Sequence, residues 1–235
     1  LIVGLGLIGG SLAAALRASG FSGEIIACDP NKDEIALGIE LGLVNAGGTQ
    51  LAELLDDVSM VVLAVPVLAM EGVMTALAQA LPNAADDVVI TDVGSTKATI
   101  RECAERVFGY VLPNIVLGHP IAGSEKSGVA AANPTLYVNH KVILTPEPNV
   151  DADALARVEK LWQTCGAEVL QMSVERHDQV LARTSHLPHL LAFSLVDTLA
   201  RQDERLDIFR YAAGGFRDFT RIAGSDPVMW RDIFI

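Results

Sequence analysis

The stretch Leu1-Ile2-Val3-Gly4-Leu5-Gly6-Leu7-Ile8-Gly9-Gly10-Ser11 most narrows what this chain can become. An apolar run enters Gly-x-Gly-x-x-Gly, carried by Gly4, Gly6 and Gly9. The spacing gives each glycine its own duty. Gly4 permits a tight strand-to-helix turn, Gly6 leaves the backbone bare for a pyrophosphate, and Gly9 lets the helix pack closely on the strand. The helix aims its free N–H groups and positive dipole end at the phosphates, so Leu7 and Ile8, between the glycines, join the candidate cofactor-binding residues.

The next twenty residues support a dinucleotide site. Ser11 to Ser19 is an alanine-rich helical segment that stops at Gly20, and a second apolar run, Ile25-Ile26-Ala27-Cys28, ends in Asp29. Asp29 lies twenty residues past Gly9, where a carboxylate bonds a ribose 2′-hydroxyl. Its competing role is to cap the next helix of an ordinary βαβ unit. A carboxylate repels a 2′-phosphate, and no arginine occurs between Arg17 and Arg101, so NAD is expected over NADP. Lys32 is the one cation close by.

Short apolar strands then alternate with helical stretches, the pattern of a parallel sheet covered on both faces. Asn31 to Leu41 reads as a helix stopping at Gly42, and Met60 to Val65 as a strand ending at Pro66. A helix from about Leu68 to Leu81 precedes the strand Val88 to Asp92, and another runs from Lys97 to Val107. Ile115 to Leu117 is the next strand. Lys141 to Thr145 and Glu168 to Met172 are two more, around a helix from Asp151 to Cys165.

After Ser173 the strand signals cease. Glu175 to Ala200 reads as a long helix interrupted or kinked at Pro188. Beyond it come a break at Gly214-Gly215 and a helix start at Ser225-Asp226-Pro227. A domain boundary is expected near residue 172. Leu187 to Leu199 is too apolar for a free surface, which points to a subunit interface. The chain starts inside a strand and ends on Trp230-Arg231-Asp232-Ile233-Phe234-Ile235, a helix still in progress, so a fragment is expected at both ends.

A net charge of −12 argues against a nucleic-acid partner, which needs a cationic face. No apolar run reaches the length of a membrane span. Cys28, Cys103 and Cys165 are far apart and lack a Cys-x-x-Cys pair, which suits a reducing cytoplasm.

Ligands of open α/β sheets bind beyond the carboxyl ends of the strands. That rule gathers Gly4 to Gly9, Asp29, Ala64-Val65-Pro66, Asp92 to Ser95 and His119 to Ser124 into one crevice. Ser95 is either a ligand-facing hydroxyl or the N-cap of the next helix. His119, between Gly118 and Pro120, reads as a loop histidine placed to reach a ligand. His186 and His189 are three apart and lack a third ligand or a His-Glu-x-x-His pattern, so no metal is expected. Arg217 and Arg221, four apart, form either a solvated helix face or a carboxylate clamp. His140 and His177 have no sequence partners and receive no role.

Five stretches together resemble one family. They are the glycine motif, Asp92-Val93-Gly94-Ser95-Thr96-Lys97, Gly118-His119-Pro120-Ile121-Ala122-Gly123-Ser124-Glu125, Ser185-His186-Leu187-Pro188-His189 and Gly214 to Ala223. Over essentially its whole length the chain resembles the prephenate dehydrogenases of tyrosine biosynthesis. The resemblance implies that His119 is the catalytic histidine on the substrate's 4-hydroxyl, that Ser95 helps orient it, and that Arg221 holds a substrate carboxylate. It also implies pocket positions for Arg217, His189 and Ser124, and a place for Gly214 near a neighbouring subunit's site. Relatives carry lysine where this chain has Arg217. Substrate is then prephenate or arogenate, cofactor NAD, and the partner a second copy of the chain.

The expectation is therefore an α/β chain. Residues 1–172 form a Rossmann-type parallel-sheet dinucleotide-binding domain, and residues 173–235 an all-helical substrate and dimerisation domain that continues past Ile235. Two rivals stand beside it. A β-hydroxyacid dehydrogenase would call for a lysine in the helical part, and none follows Lys160. A non-catalytic nucleotide-sensing module would keep the glycines and use the histidine only for structure.

Overall fold

A computed structural model describes residues 1–81, 87–203 and 205–235. The chain opens β1 (Ile2–Val3), α1 (Leu7–Ala18), β2 (Ile26–Cys28), α2 (Lys32–Glu40) and β3 (Ala46–Gly48). It continues β4 (Met60–Leu63), α3 (Met70–Ala80), β5 (Val89–Asp92), α4 (Lys97–Phe108) and β6 (Ile115–Val116). The six strands form one sheet in the order β3-β2-β1-β4-β5-β6, and every pairing is parallel. This is the doubly wound order of dinucleotide-binding folds. β3, short and rich in glycine, carries no apolar signal in the sequence and adds a strand to those expected.

The apolar strand runs reflect burial on both faces. Ile2, Val62 and Val89 enter one core, with Leu12 and Leu16 of α1. Val3, Val61, Leu63 and Ile90 enter the other, with Met74 and Leu77 of α3 and Ile100 of α4. Successive residues point to opposite faces, so a strand covered on both sides has no polar position to alternate with. At roughly 25 cal/mol per Å² of apolar surface removed from water, these cores supply the main driving force for the layered arrangement.

One expectation changes here. The strands after β6 do not extend the parallel sheet. β7 (Gly118–Pro120), β8 (Lys141–Leu144) and β9 (Glu168–Gln171) form a second sheet in the order β7-β8-β9. β7 runs antiparallel to β8, and β8 parallel to β9 across α5 (Ala152–Thr164). The chain leaves the large sheet at Gly118, where a Cβ would stand 3.1 Å from both the Asp92 carbonyl oxygen and the Leu144 side chain. A side chain there would fit only if those neighbours gave way by a few tenths of an ångström. His119 accordingly sits in a short strand, paired with Ile143, and not in a loop.

The remainder is helical: α6 (Val174–Leu181), α7 (Leu187–Ala200), α8 (Arg205–Arg210), α9 (Gly214–Thr220) and α10 (Pro227–Phe234). A π turn, Ala182–His186, joins α6 to α7. The interruption therefore precedes Pro188 instead of falling on it. Proline lacks an N–H and crowds the carbonyl four residues back, and a widened turn relieves that contact. In α7 only Ala192 is buried, while Leu187, Leu190 and Leu191 are exposed. Asp226 caps α10 through the N–H groups of Val228 and Met229, in keeping with the Ser-Asp-Pro start. Among the described residues no helix is long and apolar enough to cross a membrane.

Candidate active site

The register places the strand ends in a row. Val3 is opposite both Cys28 and Leu63, and Leu63 is opposite Asp92. The ladder reaches one residue further, since Gly4 N–H donates to Cys28 O at 2.8 Å and Ala64 N–H to Val3 O at 2.7 Å. Gly4, Asp29, Ala64 and Val93 thus leave the sheet side by side.

The glycine loop shows why it is glycine. Gly4 has φ +96, and a Cβ there would collide with the Ala64 carbonyl. A Cβ on Gly9 would collide with the Gly4 carbonyl, whereas one on Gly6 would meet nothing within 4 Å. Gly4 and Gly9 are demanded by the fold, and Gly6 borders open space. Gly6 begins α1 without a side-chain cap, and no acidic residue lies in the first turn. The N–H groups of Leu7, Ile8 and Gly9 have no partner inside the helix, as in every first turn. Donors, dipole and bare backbone face one opening, which fits a pyrophosphate.

Asp29 is not a helix cap. Asn31 caps α2, through Asp33 N–H. Asp29 Oδ2 accepts the Leu5 N–H at 2.7 Å, and its Oδ1 accepts the Asn31 N–H at 2.8 Å. The carboxylate is half-buried at the C-terminal end of β2, next to the glycine loop. Arg17 is turned away, bonded to Phe21 O and Gly23 O. A segment from the far side clasps the same loop, with Tyr137 O–H donating to Ile8 O at 2.6 Å and Asn133 N–H donating to Ser11 Oγ at 3.0 Å.

A second group of polar residues lies where β5, β7, α4 and α6 converge. Asp92 and Lys97 form an ion pair with both side chains wholly buried. Lys97 Nζ also donates to Gly118 O at 2.5 Å, and Asp92 accepts the N–H groups of Gly94 and Gly118. The pair ties the end of β5 to the start of β7. His119 is only 8% exposed, and its Nδ1 lies 2.9 Å from Nε2 of His177. His177 Nδ1 in turn lies 2.7 Å from Asp178 Oδ1. Asp178 accepts the N–H groups of Lys97 and Ala98 at 2.9 Å each, capping α4 from another element. Thr96 holds the N-cap position with no cap bond of its own, so Ser95, half-buried, has no capping duty either.

These contacts set charge. Burial pushes His119 well below its usual value, and the Lys97 ammonium pushes in the same direction. Asp178 is held at about 2: burial would raise it, but the His177 N–H and two backbone N–H groups outweigh that. Burial also lowers Lys97, against the pull of Asp92.

From His119 a file of rings leads into the helical part. His186 lies close enough for its charge to act on His119, and its ring is 6.1 Å from Trp230. His189 stacks on Trp230 at 3.6 Å and feels the charge of Arg221. Arg217 and Arg221 are exposed and form no ion pair among the described residues. Ser124 is exposed beyond β7, its Oγ accepting Lys126 N–H, and Gly214 heads α9 at the surface.

Sequence reasoning missed Lys97, Tyr137, His177 and Asp178. One signal was available: Lys97 opens α4, where the helix dipole disfavours a cation. His177 and Asp178 gave none, because their partners lie 58 and 81 residues upstream.

Comparison with known proteins matches the chain to two family models. Residues 12–171 match the nucleotide-binding domain of prephenate dehydrogenase, and residues 173–235 its dimerization domain. The chain is 38% identical to the prephenate dehydrogenase of Bacillus subtilis (strain 168), over 100% of this chain and 63% of that protein. It is 39% identical to the cyclohexadienyl dehydrogenase of Zymomonas mobilis, over 100% of this chain and 79% of the relative. The crystal structure of prephenate dehydrogenase from Aquifex aeolicus in complex with hydroxyphenyl propionate and NAD+ superposes with a TM-score of 0.89 at 42% identity. That match covers 99% of this chain and 80% of the other. The chain thus spans somewhat less than two thirds of the Bacillus protein.

Proposed function

The chain belongs to the prephenate dehydrogenase family, and from that premise we propose that it oxidatively decarboxylates prephenate to 4-hydroxyphenylpyruvate with NAD as cofactor. The observation that carries the reading is His119, a buried histidine kept uncharged beside a row of strand ends built for a dinucleotide.

Gly4, Gly6, Leu7, Ile8 and Gly9 would receive the pyrophosphate, and Asp29 the ribose diol. Ala64, Val65, Pro66 and Ser95 would line the nicotinamide side. NAD, when bound, supplies the acceptor for the hydride that leaves the hydroxyl-bearing ring carbon. His119 accepts the hydroxyl proton as the carbonyl forms, which requires a neutral ring. Ser95 orients the same hydroxyl. Loss of carbon dioxide from the para carbon sends its electron pair into the ring, giving an aromatic phenolate that takes the proton back from His119, and makes the step effectively irreversible. Arg221 holds a substrate carboxylate, with Arg217, His189 and Ser124 around it. Such positioning is worth several kcal/mol, up to about 7–11 in favourable cases.

We divide the chain at residue 172 and take residues 173–235 as a substrate and homodimer-forming unit, with Gly214 near the partner's site. The exposed leucines of α7 support that assembly. Three buried free cysteines support a cytoplasmic setting. Arogenate is the second reading, favoured by the likeness to a cyclohexadienyl dehydrogenase. NADH formation measured with prephenate and with arogenate, each with NAD and NADP, tests the reading. Activity with neither substrate overturns it.

A further inference from the structure

The His119–His177–Asp178 chain has a direction. Asp178 is held at about 2 and so offers only lone pairs at neutral pH. The His177 nitrogen 2.7 Å from it, Nδ1, must therefore carry the proton. A His177 ring that holds only this proton presents its other nitrogen, Nε2, as an acceptor. Nε2 lies 2.9 Å from His119 Nδ1, which in that state donates to it. The proton of neutral His119 is thereby confined to Nδ1, and the lone pair is left on Nε2.

We propose that His177 and Asp178 are positioning residues, which fix His119 in the tautomer whose Nε2 is unprotonated and can act as the base. The inference rests on the function proposed above, and it adds a device that no motif in the sequence announces. Both residues stand in the middle of α6, and the carboxylate that orients His177 also caps α4, the helix after Ser95. One carboxylate thus locks the base and the Ser95 turn in a common frame. When His119 takes up a proton at Nε2, its Nδ1–H still donates to His177. The added positive charge then faces Asp178 through one intervening ring. The groups acting on His119 are Lys97 of α4, His177 and Asp178 of α6 and His186 of the π turn. Asp178 is the one that favours the charged form.

The tautomer is read without turnover. In protein labelled with ¹⁵N at histidine, His119 should show a protonated Nδ1 and a bare Nε2 at neutral pH, and His177→Leu should abolish that preference. A protonated Nε2 on His119 in the unsubstituted protein overturns the inference. In assays, His177→Leu should lower kcat about a hundredfold or more, as wrong-tautomer variants of histidine bases do, while the KM for NAD stays within about twofold. His177→Gln, whose Oε1 can accept the His119 Nδ1–H, should recover part of the loss. Asp178→Asn should lower kcat and move the acid limb of the kcat profile to lower pH, because the charge that favours the protonated ring is gone. A kcat for His177→Leu within about threefold of the parent, or an unmoved acid limb in Asp178→Asn, sinks the proposal. Absence of turnover in the parent protein would instead count against the function, with the ¹⁵N result still deciding the tautomer.

Discussion

The carboxylate of Asp29 accepts the N–H of Leu5 at 2.7 Å, so the residue expected to choose the cofactor also braces the glycine loop proposed to bind it. Two substitutions separate these tasks. In Asp29→Asn the side-chain oxygen can still accept from Leu5 while the charge is gone. The preference for NAD over NADP in kcat/KM should then fall about tenfold or more, since hydrogen bonds to charged groups are worth about 1.5–3 kcal/mol. Asp29→Ala should in addition raise the KM for NAD beyond that of Asp29→Asn, because the loop loses its brace. Steady-state kinetics with both cofactors checks this, and an undiminished NAD preference in Asp29→Ala would count against the assignment.

The three motif glycines should respond differently to one methyl group. Gly6→Ala meets open space, so its thermal midpoint should stay near that of the parent while the KM for NAD rises. Gly4→Ala and Gly9→Ala press a methyl into backbone carbonyls, and Gly4 also sits at φ +96. Both should lose stability before affinity can be measured. Scanning calorimetry and cofactor titration on the three variants decide the matter.

Lys97 and Asp92 are each 0% exposed, so removing one leaves the other charge stranded. Lys97→Met should cost about 3–5 kcal/mol in urea unfolding. Adding Asp92→Asn should return part of that loss, because the stranded charge is removed. A Lys97→Met protein as stable as the parent would mean that the pair is not buried as described.

Protonation should weaken both activity and stability on the acid side. Burial lowers His119, and burial likewise lowers His186 and His189. In the unfolded chain these rings take up protons near pH 6.5, while the folded protein resists them. Their contribution is therefore complete above pH 6.5 and is lost as pH falls below it, at most about 1.4 kcal/mol per pH unit for His119. Thermal midpoints across pH 5 to 8 test this, and His119→Asn should flatten the slope. The same substitution should reduce kcat by about 10²–10⁴ with NAD binding retained, the usual worth of a positioned base. In the parent the acid limb of kcat/KM should fall below pH 6.5.

Arg221 has no ion-pair partner among the described residues, which leaves its guanidinium for a ligand. Arg221→Ala should raise the substrate KM tenfold or more, in line with about 1.5–3 kcal/mol for a charged hydrogen-bonded contact, and leave the KM for NAD unchanged. Arg221→Lys should recover little, since an ammonium cannot match a carboxylate bidentately. An equal rise in both KM values would point to a disturbed fold instead.

The sequence by itself determined the dinucleotide half of this protein. Glycine spacing, the strand ending at Asp29 and apolar runs covered on both faces are local patterns, and local sterics dictate what they form. Helix ends were legible for the same reason, as with Asn31 at α2 and Asp226 at α10. Tertiary structure decided the rest. The strand after Leu117 pairs with β8 in a second sheet, a long-range pairing that no local pattern in the sequence announces. The interruption or kink expected at Pro188 is a π turn just ahead of it, at Ala182–His186. His177 and Asp178 were silent in the sequence because a hydrogen bond between residues 58 or 81 positions apart leaves no periodic trace. Only folding brings α6 onto α4 and β7, and only the contact with β7 gives the histidine at the strand end a defined proton.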